Sequence, residues 1–392
     1  MEPLATRGDL ATGGGSGLMT EGAAPIKPAL DAHVVGRRKT GNETYMVNLA
    51  NALARRADVR PLAYVDSGTQ WPQPSAVVTR ELASKAPFRR IMFELPSRAR
   101  RDGCDLLHVQ YVAPPLARLP IVTAIHDVSF EDVPGLFSRR TQMRLKLTVR
   151  ISAARSAAIL TISEYTRARI LHHYHVDPDK VVVTPLGVDS RWRPMDRDAA
   201  LGYLAELHLP SPFVLAVGNL HPRKNIARLV RSIAAARKAG AGDLHLVLAG
   251  QRWWRAGDLD RAIEDSGATE WVRFLGYVED AALLALYSAA DVVAYPSLYE
   301  GFGLPVIEAL ACGAVVVASN TTAIPEVAGD AALLVDPLDE AALADAVTRA
   351  YADVELRSRL RAVGPVQASK FSWDRCAGDV VQGYRLALQQ HR

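Results

Sequence analysis

Two glutamates with seven residues between them stand in the stretch PSLYEGFGLPVIEALACGAVVVAS (296–319): Glu300 before a Gly-Phe-Gly at 301–303, and Glu308 inside the Pro-led helical pattern that follows. Pro305 suits the first turn of a helix, since the N–H it lacks would be unpaired there. Gly313 can end the helix in the left-handed conformation. The loop therefore lies at a helix N-terminus, where free amides and the helix dipole favour an anion, and Gly301 and Gly303 let a ligand approach the backbone. The chemistry on offer is a cage: carboxylates accept hydrogen bonds from sugar hydroxyls while amides face phosphate or hydroxyl oxygens. The same acids would also steady a bare helix start by roughly 0.3–1 kcal/mol.

A second loop, VGNLHPRKN (217–225), follows the apolar FVLA and precedes a helical pattern with Ile226, Leu229, Val230 and Ile233 on one face. Arg223 and Lys224 sit at its mouth, a guanidinium fork and a point charge that together neutralise a diphosphate; alone, such a pair is more often solvated. GRRKTGNETYMVNLANAL (36–53) runs into a helix with Met46, Leu49, Ala50 and Leu53 on one face, and Gly41 and Asn42 are expected to form the tight turn before it. It is not the G-x-G-x-x-G dinucleotide fingerprint. Gly41 either passes close to phosphates or is a plain loop glycine. His126 and Asp127 close the run TAIHD, and His108 and Gln110 close LHVQ, both at strand ends where side chains enter a cleft. His172, His173 and His175 do not share a helix face, which argues against a metal site.

What must position these groups is a repeated alternation of short β-branched runs and helical patterns. The runs fall at 29–35, 58–65, 105–109, 121–127, 157–163 and 180–186, and the rhythm restarts at 213–218, 244–250, 271–276, 291–297, 314–319 and 332–337. Alternation of this kind makes parallel sheets covered by helices on both faces. The fold class is α/β: two doubly wound, Rossmann-like domains facing each other across a cleft. The expected boundaries are a disordered leader at 1–26, a first domain at 27–195, a second domain at 196–370 and a terminal helix at 371–392.

The 392 residues suffice for two such cores, and no apolar run approaches the length of a membrane span. Cys104, Cys312 and Cys376 are too scattered for a disulfide framework or a zinc site, and a cytoplasmic setting is expected. Of the net charge of +4, the first 190 residues carry +7 and the remainder −3. The basic stretches at 88–101 and 138–150 interleave arginines with apolar residues, so peripheral contact with an anionic membrane face is conceivable; ordinary solvated helices read the same way.

Taken together, the paired glutamates, PRKNI, TAIHD, LTISEYTR, TPLGVD and the terminal FSWDRCAGDVVQGYR resemble, in order, the family-4 retaining glycosyltransferases of the GT-B fold, from about Ala29 to the C-terminus. The resemblance implies that Glu300 holds hydroxyls of the donor hexose and Glu308 the ribose hydroxyls of the nucleotide. By the same resemblance, amides of Phe302, Gly303 and Leu304 contact the sugar and distal phosphate, Arg223 and Lys224 stabilise the departing diphosphate, and His126 touches the donor sugar or the reacting centre. Gly276, Tyr277 and Val278 would border the base, and Gly41 and Asn42 lie near the diphosphate on closure. Many relatives carry an arginine where Asn219 stands here, and the PRKN form shared with bacterial mannosyltransferases makes Arg223 its replacement.

A nucleotide diphosphate sugar, GDP-mannose favoured, is the implied co-substrate, with no other cofactor and no metal, because the basic pair does the electrostatic work of a divalent ion. The acceptor is a hydroxyl of a glycan, a lipid-linked sugar or a small molecule; nucleic acid is not an expected partner. Transfer at the front face, with the leaving phosphate assisting deprotonation of the acceptor, makes Glu300 a positioning residue rather than a covalent nucleophile. Two other readings fit the residues less well: a nucleotide-sugar 2-epimerase of the same fold, and a catalytically silent nucleotide-sugar-binding scaffold.

Overall fold

The computed structural model describes residues 24–37, 40–72, 75–84, 86–252 and 257–391. The leader expected at 1–26 lies outside the described residues up to 23, and its last residue, Ile26, already forms a parallel bridge with Val59. The first sheet has seven strands, β1 (Pro28–Asp31), β2 (Leu62–Asp66), β3 (Val78–Leu82), β4 (Leu106–Gln110), β5 (Ile121–Ala124), β6 (Ala158–Thr161) and β7 (Val181–Val183), in the order β3-β2-β1-β4-β5-β6-β7. The second has six, β8 (Phe213–Val217), β9 (His245–Ala249), β10 (Val272–Gly276), β11 (Val292–Tyr295), β12 (Val316–Ser319) and β13 (Ala332–Val335), in the order β10-β9-β8-β11-β12-β13. All named pairings are parallel.

These strands are apolar on both faces because helices cover both sides of a parallel sheet. In β8, Phe213 through Ala216 are all buried, and β12 is buried throughout. Helix α1 (Thr40–Ala54) covers one face of the first sheet, and α2 (Leu95–Arg101), α3 (Arg139–Arg155) and α4 (Glu164–Tyr174) link β3 to β4, β5 to β6 and β6 to β7. In the second domain α5 (Ile226–Lys238), α6 (Asp280–Ala289), α7 (Leu304–Ala311) and α8 (Ile324–Ala328) follow β8, β10, β11 and β12. The last helix, α9 (Trp373–Gln389), returns to the first domain. Val380, Val381 and Tyr384 are buried there, Arg385 pairs with Asp58 at 2.9 Å, and the Tyr384 hydroxyl meets His108 Nδ1 at 2.7 Å.

Two expectations need correction. Gly41 and Asn42 do not form a turn: they are helical, in the first turn of α1, and the turn glycine is Gly36 with φ of +78°. The polar run reads as loop because its apolar face starts only at Tyr45, whereas tertiary packing of that face carries the helix back to Thr40. Strand β3 lies outside the expected apolar runs. It is an edge strand with only Leu82 buried and with charged Arg80 and Glu81, the composition that protects an edge and hides a strand from an apolar search.

Candidate active site

Ligands in open α/β sheets bind beyond the carboxyl ends of the strands where the order reverses. In the second sheet that point lies between β8 and β11, the two strands whose following loops carry Arg223, Lys224 and Glu300. The loops are tied to each other. Leu298 N donates to Arg223 O at 2.7 Å, and the Asn225 amide donates to Pro296 O at 3.1 Å and Pro337 O at 2.6 Å. Glu300 N donates to Thr322 Oγ1 at 3.2 Å, which fixes the acidic loop from its other side.

Within this frame Lys224 Nζ lies 2.6 Å from Glu300 Oε1, bonds to the Tyr295 hydroxyl, and stands 4.4 Å over the Tyr295 ring centroid. Arg223 Nη1 lies 3.7 Å from Asp127 Oδ2 of the first domain. Burial alone would raise the Glu300 pKa, but Lys224 and then Arg223 outweigh it and hold the carboxyl at about 2. Glu300 is thus an anion at any working pH, and the basic pair is preset against it. In the sequence the acid and the basic pair stand as separate elements of one cleft; the structure makes them one charge cluster.

The α7 N-terminus completes the second-domain wall. Gly303 has φ of +112°, a conformation a side chain rarely adopts, and a Cβ there would stand 2.6 Å from Ile324 Cδ1. Phe302 is buried edge-on to Phe371 at 5.6 Å; Pro305 carries no N–H and the amides of Val306 and Ile307 donate to Gly303 O at 2.9 and 3.3 Å, which leaves the Leu304 amide as the one at the start of α7 without an acceptor in its own helix. Glu308 lies one turn further in and accepts from the Tyr287 hydroxyl at 3.1 Å. Burial pushes its pKa up to about 8, so the carboxyl expected as an acceptor starts out protonated near neutral pH. Because the folded-state pKa lies above the unfolded one, the folded protein binds the extra proton between about pH 4.5 and 8, and stability falls as pH rises through that window. Melting temperature measured across it is expected to decline less in Glu308→Gln than in the natural protein; an unchanged slope would contradict the assignment.

From the first domain, His126 is buried with Nε2 3.2 Å from Gln110 Oε1, while its buried Nδ1 makes no hydrogen bond. Burial draws its pKa down to about 4, against the pull of Asp127, so the ring is neutral at physiological pH. Tyr45 of α1 and Tyr111 enclose the ring, with centroids at 4.4 and 5.7 Å. Neither tyrosine stands out in the sequence. Tyr111 is one of the few non-glycine residues with positive φ, at 59°, and strain of that kind gathers at functional sites, but no sequence pattern announces it.

The two walls meet at a tight seam. A Cβ on Gly301 would stand 2.1 Å from His126 O, the Tyr299 hydroxyl donates to Asp132 Oδ2 at 2.9 Å, and the Glu326 carboxylate accepts from Glu164 N and Tyr165 N at the start of α4, at 2.9 and 2.7 Å. Not every expected residue joins the cluster. Gly276, Tyr277 and Val278 stand at the end of β10, two strands beyond β8, where Gly250 N donates to Gly276 O at 2.7 Å. Gly41 and Asn42 reach the site only through their helix, by way of Tyr45. Asn219 lies between Gly218 and the Arg223–Lys224 turn. Of the three histidines weighed as metal ligands, His173 bonds to Asp132 at 2.8 Å; among the described residues no three His, Cys, Asp or Glu are grouped to hold a metal.

Residues 40–192 match the Glycosyltransferase Family 4 family and residues 211–353 match Glycosyl transferases group 1. The chain is 34% identical over 266 residues to O-antigen chain mannosyltransferase B of Escherichia coli, covering 68% of this chain and 70% of that protein. It is 37% identical over 241 residues to a D-inositol 3-phosphate glycosyltransferase of Salinispora tropica, covering 57% of this chain and 49% of the relative, so it spans only about half of that protein. Serotype-specific mannosyltransferase WbdA of Escherichia coli is 30% identical over 241 residues, of which this chain spans 29%. Among solved structures, sucrose-phosphate synthase from Thermosynechococcus elongatus superposes with a TM-score of 0.74 at 22% identity, covering 92% of this chain and 98% of that one. WaaG, a glycosyltransferase involved in lipopolysaccharide biosynthesis, does so with a TM-score of 0.71 at 16% identity, covering 91% and 99%. With the GT-B architecture, the second sheet's switch-point loops and these likenesses in agreement, the chain belongs to the family 4 glycosyltransferases.

Proposed function

We propose that this chain moves a hexose, mannose in preference, from a nucleotide diphosphate sugar to an acceptor hydroxyl with retention at the anomeric carbon, and that GDP-mannose is the donor. The observation that carries the reading is the charge cluster: Lys224 2.6 Å from an ionised Glu300, with Arg223 beside it, beyond the strand ends and next to the N-terminus of α7. Such a cluster suits a reaction in which the bond from the anomeric carbon to the diphosphate oxygen breaks and negative charge grows on the leaving group. Arg223 and Lys224 receive that charge. Glu300 orders the hexose hydroxyls, and its salt bridge with Lys224 argues against a covalent glycosyl intermediate on it. The acceptor oxygen attacks from the face the diphosphate leaves, its proton passing to a phosphate oxygen. His126, neutral and with a free Nδ1, offers a hydrogen bond to a sugar hydroxyl.

The preference for mannose rests on the relatives named as mannosyltransferases. The runner-up donor is UDP-glucose, because an Anabaena structure of the same fold, matching with a TM-score of 0.72, holds UDP and glucose. The acceptor is a glycan, a lipid-linked sugar or a small molecule, met in the cytoplasm or at the inner face of a membrane. Among the described residues no helix is long and apolar enough to cross a membrane. A ligand that binds only the folded state raises its stability, by about 2.7 kcal/mol at a hundred times its Kd. GDP-mannose and GDP are therefore expected to raise the melting temperature without added metal, UDP-glucose and UDP to do so less, and Glu308→Ala to abolish the shift by removing the ribose contact. A shift confined to the uridine series would replace the donor; no shift with any nucleotide would defeat the donor reading.

A further inference from the structure

We propose that the outer face of α3 docks on an anionic lipid surface and thereby presents the cleft to an acceptor held in that surface. Met143, Leu147 and Ile151 are 72%, 60% and 44% exposed, and their spacing of four places them on one stripe of the helix. Arg139, Arg140, Arg144, Arg150 and Arg155 are exposed beside the stripe on both sides, and α3 contains no acidic residue. Lys146 is drawn away to Glu131 at 2.7 Å. The opposite face, with Val149, Ser152 and Ala153, is buried against the sheet, so this is not a helix awaiting an intramolecular partner on that side. An apolar stripe between rows of cations is the pattern of a helix lying in a membrane interface, its stripe in the acyl boundary and its arginines at the phosphates.

A second patch adds to the first. Phe88 and Phe93 are exposed and meet edge to face at 6.2 Å, close to exposed Arg89, Arg100 and Arg101. They lie on the connection from β3 to β4, and α3 on the connection from β5 to β6; both connections advance the same way across the sheet. Right-handed crossovers put both on the same face, opposite α1 and α9. Charge decides the occupant. A face this rich in arginine repels a second copy of itself and attracts anionic head groups. The geometry supplies the consequence: α3 runs back from the loop after β5, which holds His126 and Asp127, so its first turn borders the cleft. That consequence rests on the glycosyltransferase reading above; the lipid contact itself does not.

The test is co-sedimentation of the full chain with phosphatidylcholine vesicles, with and without phosphatidylglycerol, at low and high salt. The protein is expected to partition to the phosphatidylglycerol vesicles and to leave them as salt rises. Replacing the stripe together, Met143→Ser, Leu147→Ser and Ile151→Ser, should weaken partitioning at least roughly tenfold, and Arg140→Gln and Arg144→Gln about fivefold each. The melting temperature and the nucleotide-induced shift should not change, since these side chains face solvent. Failure of the natural protein to bind, equal binding to phosphatidylcholine alone, or undiminished binding by the stripe variant would overturn the proposal, as would a concentration-dependent dimer that the stripe variant dissolves. Vesicle binding without any nucleotide shift would leave the lipid face standing and defeat the donor reading; the reverse pattern would do the opposite.

Discussion

Lys224→Met is expected to lower kcat by roughly 10²–10³-fold, the loss typical of removing one preorganised group from the site of developing charge. The reason is spatial. The ammonium is fixed by Glu300 and by the Tyr295 hydroxyl before any ligand arrives, so it need not reorganise when charge moves onto the leaving diphosphate. The same substitution should also destabilise the fold, by up to about 3 kcal/mol, because it strips the nearest partner from a buried carboxylate and leaves Arg223 alone to balance it. The two effects separate in a double variant. Lys224→Met with Glu300→Gln removes the uncompensated charge and should recover most of the melting temperature without recovering turnover. The pH dependence of stability carries the same signature. Glu300 has a folded-state pKa depressed from 4.5 to about 2, so its stabilisation is present above about pH 4.5 and fades as pH falls towards 2; the single variant should lose much of that contribution. Turnover within a few fold of the natural protein would remove Lys224 from the reaction, whatever happened to stability.

Gly301→Ala should cost on the order of a hundredfold in turnover while leaving nucleotide binding nearly intact. Its Cβ would fall 2.1 Å from His126 O and 3.0 Å from Asp127 Cβ, both backbone-anchored atoms of the facing domain, and neither can yield by a rotamer change. The loop of 296–303 must then retreat from the 126–132 loop by about an ångström, the scale of misplacement that costs two orders of magnitude in rate. The groups assigned to the nucleotide, Glu308 and the α7 N-terminus, belong to the second domain alone and move little. The variant should therefore keep its thermal shift with the donor nucleotide and lose kcat rather than KM. Full activity would mean that the seam seen between the two domains is not the working arrangement. Loss of the shift together with activity would point to a folding defect of the loop, and Gly301→Ser, with the same steric demand, should then melt equally early.

The residues that proved hardest to find from sequence share a reason. Tyr45, Tyr111 and Tyr295 are ordinary aromatics in apolar or mixed runs, and such residues are more often core than site. What makes them part of the site is which ring or charge they face: His126 for the first two, Lys224 for the third. Gly-Asn at 41–42 reads as a turn, whereas the buried face of α1 makes those residues helical and leaves the turn to Gly36. The residues set at the end of β10 show the converse. Gly276, Tyr277 and Val278 stand at a strand end as expected, yet their distance from the charge cluster depends on the order β10-β9-β8-β11, which no local pattern encodes.

By itself the sequence determined the periodicities and the local chemistry: the apolar runs that become strands in two successive sheets, the Pro-led helix after Gly303, the Arg-Lys turn before α5, and the ordered motifs by which the family is recognised. Those are short-range properties, set by side-chain size, branching and hydrogen-bonding capacity within a few residues. Only the tertiary structure decided that Lys224 and Glu300, 76 positions apart, share one ion pair, that Gly301 presses on His126 from the other domain, and that burial separates the two glutamates into an anion near pKa 2 and an acid near pKa 8. Pairing and desolvation depend on which surfaces meet and how much water they exclude, and those are properties of the assembled sheets rather than of any stretch of chain.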